Sequence, residues 1–258
     1  MKKGFYLLLV LLAGPFIQTI LCQANLDQAI KNFESNDWVL VSEARTTLEE
    51  AGMDALPALF SLLKEDKIVK LTNTGDLIYP GAVRFYGHGE IIDYDIDQLP
   101  VRAGWLIEKI TFQNFGFSYI HDLEINLVNH IKYHFSSSEI EQFISKPVNS
   151  LSIDEQRELI KDLSVYNAQN WWKDNASADR LDCLESALSS KDDKRQVDAL
   201  QYLRTSTVPV EGLTKEAYNK KLLPQIKKLA GDQTKRISEQ AKYILNDKTY
   251  EFLKIKGL

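Results

Sequence analysis

VSEARTTLEEAGMDALPALFSLLKED, residues 41–66, is the stretch whose reading decides the fold. Its apolar residues recur at helical rather than alternating spacing, so it reads as parts of two helices, roughly 38–51 and 54–64, joined by a brief turn. The pattern then returns far along the chain. ALPALFSLL at 55–63 aligns without a gap to LLPQIKKLA at 222–230, sharing the Leu-Pro pair and the apolar positions Leu59/Ile226 and Leu62/Leu229. An alanine followed four residues later by a leucine recurs as Ala44/Leu48, Ala199/Leu203 and Ala241/Leu245.

Between these repeats the periodicity stays helical and strand-like alternation is scarce, which predicts an all-α fold. Candidate helices cover roughly 26–34, 96–112, 121–135, 138–145, 153–173, 178–189, 193–205, 215–230 and 235–247, besides the two above. Two starts carry a chemical signature. Ser136 with Glu139, and Ser152 with Glu155, each fit a capping box, in which serine and glutamate satisfy each other's orphan backbone donors.

Repetition of short helix pairs is the mark of a solenoid. The segment 41–66 resembles one full HEAT repeat, and LLPQIKKLAGDQTKRISEQAKYIL, 222–245, resembles the second helix of one repeat joined to the first helix of the next. VRAGWLIEKI, 101–110, carries a looser version with Arg102, Ala103 and Leu106. The resemblance is carried mainly by residues 37–66 and 192–247. It implies an α-solenoid of HEAT-like helix pairs in which small alanines allow close helix approach and leucines fill the seam between layers. It also implies a protein-binding or scaffold role. The pattern is interrupted near residues 66–95, a stretch too long and too rich in Gly, Tyr and Asp for a repeat turn.

The amino terminus speaks to location. Met1-Lys2-Lys3, the apolar run from Phe5 to Ala13, and Cys22 and Ala24 near a cleavage point compose a bacterial-type secretory signal, residues 1–24, with a mature chain from Asn25. Lipid attachment at Cys22 and an uncleaved anchor are the alternatives. The first has bulky Leu21 before the cysteine, and the second a run broken by Gly14, Pro15 and Gln18. The expected setting is therefore secreted or periplasmic, with no membrane span after cleavage and a single domain over residues 25–258.

The formal charge of −5 becomes more negative on losing Lys2 and Lys3, so the chain lacks the basic footprint of a nucleic-acid binder and of general docking to anionic lipid. With Cys22 removed, Cys183 has no partner for a disulfide, and stability must come from packing. A chain that is 44% hydrophobic can supply that core.

Candidate chemistry concentrates in the interruption, LTNTGDLIYPGAVRFYGHGEIIDYDIDQLPVRAGW, 71–105. Insertions in solenoids fall on one face, often the binding face, which nominates Tyr86, His88, Asp93, Asp95, Asp97 and Arg102. Asp93, Asp95 and Asp97 have the spacing that opens a calcium loop, but Gln98-Leu99-Pro100 stands where the turn glycine belongs and no closing glutamate follows. His130 and His134 sit four apart on a helix, yet Ile131 occupies the position of the zinc-protease glutamate, and the nearest other histidines are His88 and His121. No metal and no cofactor is expected. The structural alternative has Ile91, Ile92, Tyr94 and Ile96 pinning the segment, an aspartate capping the helix that starts near Gln98, Gly87 and Gly89 turning the chain, and Arg84 or Arg102 pairing with the acids.

Outside the insertion, the adjacent Trp171 and Trp172 point about 100° apart on a helix, so one is a candidate for stacking on a sugar or a peptide side chain. Phe112, Phe115, Phe117 and Tyr119 read as packing under a loop, and Cys183 as a core thiol. A nucleophile elbow is missing. The sequence points to a protein-binding module of the cell envelope with an unspecified partner and oligomeric state, and more to binding than to catalysis. The other readings are an envelope enzyme or metal-binding protein using His88 and Asp93–Asp97, or a carbohydrate binder using Trp171/Trp172.

Overall fold

The computed structural model describes residues 24–75, 77–80, 90–92, 94–120, 126–206, 208 and 210–246. The fold is all-α. A first helix, α1, covers 24–33. It is followed by α2 (Trp38–Ala51), α3 (Leu56–Leu62), α4 (Leu99–Thr111), α5 (Leu127–His134), α6 (Ser137–Phe143) and α7 (Ile153–Asn175). The last third holds α8 (Arg180–Ser189), α9 (Asp193–Thr205), α10 (Lys215–Ala217), a π turn at Tyr218–Leu222, α11 (Leu223–Leu229) and α12 (Lys235–Asn246). None of the described helices is long and apolar enough to cross a membrane.

Most starts are set by a polar side chain that takes an orphan N–H of the first turn. Asp37 accepts from Val39, Asn126 from Asn129, Asp179 from Asp182, Asp192 from Arg195 and Thr214 from Ala217. The two boxes at Ser136/Glu139 and Ser152/Glu155 are both closed. In α4 the expectation of an aspartate cap gives way: Gln98 is the capping residue and makes no side-chain cap bond, and Pro100 lies in the first turn, where its missing N–H does no harm.

Packing follows the two recurrent patterns. Leu59, Leu62, Ile226 and Leu229 are buried, as are Ala44, Leu48, Ala199, Leu203 and Ala241. Helix α4 lies against α2, α3, α7 and α8, while α9 lies against α8 and α12, and α11 against α8 and α12. The buried apolar residues form two clusters, one from Ala29 to Ala168 and one of Phe112 with residues 181–241, and Met53 and Trp171 pack against both. We expect Leu59→Ala and Leu229→Ala each to lower stability by about 2–4 kcal/mol, one in each cluster, through lost burial and the cavity left behind. Urea titration measures it, and changes near zero at both sites would contradict the packing.

The interruption is stitched to the helices rather than looped away from them. Val69 donates to the Asp97 carbonyl (2.7 Å), Leu99 to Lys67 (3.0 Å), Thr72 to Asn36 (2.7 Å) and Trp38 to Thr72 (3.2 Å). Two strands of two residues each, β1 (Leu77–Ile78) and β2 (Glu90–Ile91), pair in parallel. Ile92, Tyr94 and Ile96 are buried as the pinning reading requires, whereas Ile91 is 76% exposed.

Cys183 is buried and free, and desolvation pushes its thiol up to about 11. A thiol so protonated at neutral pH is a poor nucleophile. Native protein should therefore resist iodoacetamide at neutral pH at this residue and be alkylated once unfolded; rapid native alkylation of Cys183, read by peptide mass, would contradict the burial.

Candidate functional site

One face of α9 looks across a groove of about 990 Å³ at α2 and α4. The lining residues repeat at helical spacing: Asp193, Lys194, Val197, Asp198, Gln201, Tyr202 and Thr205 from α9, Trp105, Glu108, Lys109 and Phe112 at α4, and Arg45, Thr46 and Glu49 from α2. Ile91, Ile92 and Tyr94 bring the interruption to the rim, and Thr234 and Arg236 bring the start of α12. Phe112 and Tyr202 meet edge to face at 5.0 Å and join the two sides of the floor. Phe112 holds a left-handed backbone (φ 53°) at the end of α4, and its carbonyl accepts from Arg195 Nε (3.0 Å). Asn114 Nδ2 donates to Asp192 (2.9 Å), a second tie between the α4 end and the start of α9.

Trp105 is the aromatic platform of the α4 side. Tyr94 stacks on it at 4.5 Å, the Lys109 ammonium stands 5.1 Å from its ring and the Arg45 guanidinium 5.8 Å, with Arg45 also 5.5 Å from Trp38. Cations over indole faces are attracted by the ring quadrupole, so two positive groups are held at the groove surface beside an apolar plate.

Glu108 forms the buried polar centre. Its Oε1 accepts from the backbone N–H groups of Phe115 (2.6 Å), Gly116 (2.8 Å) and Phe117 (3.2 Å), and its Oε2 accepts from the Ser118 hydroxyl (3.3 Å). Burial pushes this carboxyl above its ordinary range, while nearby Lys194 and the three amides pull the other way. Burial depresses Lys194 in turn, but the Glu108 and Asp198 carboxylates outweigh it, and its ammonium is held above the usual lysine range. The Lys194–Asp198 pair closes at 2.6 Å. Glu108 thus holds the 115–118 turn in shape. Gly116 takes φ 113° there, a left-handed conformation that glycine alone enters freely. Phe117 packs so tightly on Gly104 that a Cβ at position 104 would lie 2.3 Å from its ring.

The residues nominated from sequence fall elsewhere or inside. Tyr86, His88 and Asp93, with Arg84, Gly87, Gly89, His121 and residues 1–23 including Cys22, lie outside the described residues. Asp97 is 1% exposed and accepts from Lys70 Nζ (2.7 Å), the Leu71 N–H (2.9 Å) and the Tyr79 hydroxyl (3.3 Å). Tyr79 is pushed up to about 12, by burial first and by Asp97 second. Asp95 accepts from the Asp97 N–H (3.0 Å) and from Gln98 Nε2 (3.1 Å). Arg102, also 1% exposed, pairs with carbonyls rather than with the acids: Nε donates to Ile96 (2.7 Å) and Nη1 to Phe33 (2.5 Å). Asp95, Asp97 and Arg102 therefore tie the interruption and the end of α1 to the start of α4.

Both tryptophans at the far end of α7 are half-buried. Trp172 stacks on Phe60 at 5.1 Å and Trp171 meets Phe115 edge-on at 5.9 Å. His130 and His134 stack at 5.1 Å beside Tyr119, and burial pushes the His134 imidazole below its ordinary value. Among the described residues no three His, Cys, Asp or Glu side chains gather closely enough to hold a metal ion.

The groove residues escaped the sequence reading, although one signal was present. Glu108 stands on the buried face of α4 that also carries Gly104 and Thr111, and a carboxylate on such a face needs a dedicated set of donors. No protein-family model, curated protein or solved structure matches the chain.

Proposed function

We propose that this chain is a HEAT-like α-solenoid of the bacterial envelope, secreted or periplasmic, whose groove between α9 and the α2–α4 pair holds a segment of another protein. The groove itself carries the reading. Among the described residues it is open, about 990 Å³ in volume, and has a mixed aromatic and charged lining, the composition of a surface that takes polypeptide. The helix neighbours fit the solenoid half of the reading. Helices α2, α4, α9 and α12, which hold the alanine patterns, adjoin in the pairs α2 with α4 and α9 with α12, and α3, α8 and α11 pack alongside them. Export rests on the signal-like pattern of residues 1–24.

A binding role is favoured over an enzymatic one because the buried carboxylate of the groove is engaged by three backbone amides and a hydroxyl, which suits holding a turn better than moving a proton. Amine labelling tests the role. In an envelope extract from the native source, Lys109 should be shielded relative to the isolated protein, while Lys132 on α5 and Lys146 after α6, both outside the groove, keep their reactivity. Uniform labelling at all three lysines in extract and in isolation would overturn the reading.

A further inference from the structure

We infer that the cleft between α9 and α12 is a second binding site, one for a phosphate monoester group, and that it works independently of what the α2–α4 groove holds. The cleft measures about 520 Å³ and is lined by Arg204, Lys235, Arg236, Glu239, Gln240 and Tyr243. The sequence explains why cations collect there. Residues 191–246 hold twelve Lys and Arg against seven Asp and Glu, although the whole chain has a net charge of −5. A basic end on an acidic chain points to an anionic ligand for that end.

Packing focuses this charge on one surface. Helices α9 and α12 run side by side in the same sense, Asp193 meeting Thr234 at one end (3.4 Å) and Arg204 meeting Gln240 further along (2.8 Å). Lys235, Arg236, Glu239, Gln240 and Tyr243 share one face of α12, opposite the buried Ile237, Ser238 and Ala241.

The donors and acceptors of the lining select the ligand. The Arg204 guanidinium lies 4.6 Å from the Tyr243 ring centre, and its Nη1 donates to Gln240 Oε1. Those two contacts orient the guanidinium fork and occupy the Gln240 acceptor, which leaves the Gln240 amide as a donor beside the Tyr243 hydroxyl. Arg236 is exposed, and among the described residues no carboxylate pairs with it or with Arg204. Lys235 stands 3.8 Å from Glu239, but both are well exposed, and a pair of that kind is worth little in water and opens readily. With Glu239 set against the three cations, a surplus of two positive charges remains in a lining made mostly of donors. A carboxylate or a phosphodiester answers only one of those charges. A phosphate monoester carries about −1.5 to −2 at neutral pH and three strong acceptor oxygens, so it answers both. The chemistry is the same whether the group is free in solution or borne on a lipid headgroup.

Amide NMR titration of the full chain with glycerol phosphate and with acetate, at matched ionic strength, tests the site. Glycerol phosphate should shift the Arg236 and Gln240 amides saturably, bind at least about tenfold more tightly than acetate, and weaken as pH falls through about 6, where the ester takes up its second proton. Arg204→Gln and Arg236→Gln, each with an unchanged circular dichroism spectrum, should each weaken binding about three- to tenfold, and Lys132→Gln on α5 should not. Co-sedimentation with phosphatidylcholine vesicles containing phosphatidic acid, but not with those containing the diester phosphatidylglycerol, would assign the group to a lipid; titration without co-sedimentation would assign it to a free ligand. Equal affinity for acetate, tighter binding of a Glu/Leu peptide, equal retention by both anionic vesicles, or affinity unaltered in both arginine variants would overturn the inference, as would neither saturable shifts nor co-sedimentation.

Discussion

Glu108→Ala should lower the free energy of unfolding by about 3–5 kcal/mol, because it removes one member of a buried charged network and strands the rest. Three backbone N–H groups at 2.6–3.2 Å lose their acceptor at once, in a turn whose Phe115, Gly116 and Phe117 are buried out of reach of replacement water. Lys194 loses one of the two carboxylates that hold its ammonium above the usual lysine range against desolvation. Glu108→Gln keeps an oxygen for the amides but not the charge, so its loss should be smaller, about 1–2 kcal/mol. Urea titration of the two variants gives the order. Glu108→Ala within about 1 kcal/mol of the parent would mean that the turn holds its shape by packing alone.

Arg102→Ala is the second large effect, again about 3–5 kcal/mol. The side chain is among the largest that are fully buried, so its removal opens a cavity, and the Ile96 and Phe33 carbonyls lose their donors. Its stack near the Phe33 ring, 5.8 Å from the guanidinium, is lost too. Arg102→Lys should rescue little, since an ammonium cannot reproduce two diverging N–H bonds to carbonyls contributed by α1 and by the stretch before α4. The same denaturation series measures both variants; full rescue by lysine would show that charge rather than fork geometry matters here.

These two residues mark what the sequence made legible and what it did not. Periodicity and caps found the helices well: Trp38–Ala51 and Asp193–Thr205 sit where the spacing put them, and both serine–glutamate boxes close. The interruption was harder. Its strands are two residues long, too short for any alternation to show, and its order comes from backbone bonds to positions about thirty residues away such as Val69 to Asp97 and Thr72 to Asn36. Asp95 and Asp97 were nominated for binding because they lie in an insertion that a solenoid would place on its binding face, but position along the chain does not reveal that Lys70, Leu71 and Tyr79 fold back to take one of them. The groove was illegible for a related reason. Arg45, Trp105 and Lys194 come from three helices, and each reads on its own as an ordinary position on an amphipathic face. Only the packing of α4 and α9 through Phe112 and Tyr202 brings them onto one surface.

Photo-crosslinking from that surface is the most direct test of the docking role. A photoreactive amino acid replacing Gln201, exposed on the groove face of α9, should give a discrete adduct in envelope extract that is suppressed by excess unlabelled protein and weakened by Lys109→Glu. The same group replacing Tyr133, which is 92% exposed on α5 and outside the groove, should not. The same adducts from both positions, or none from Gln201, would contradict a groove built to hold another protein.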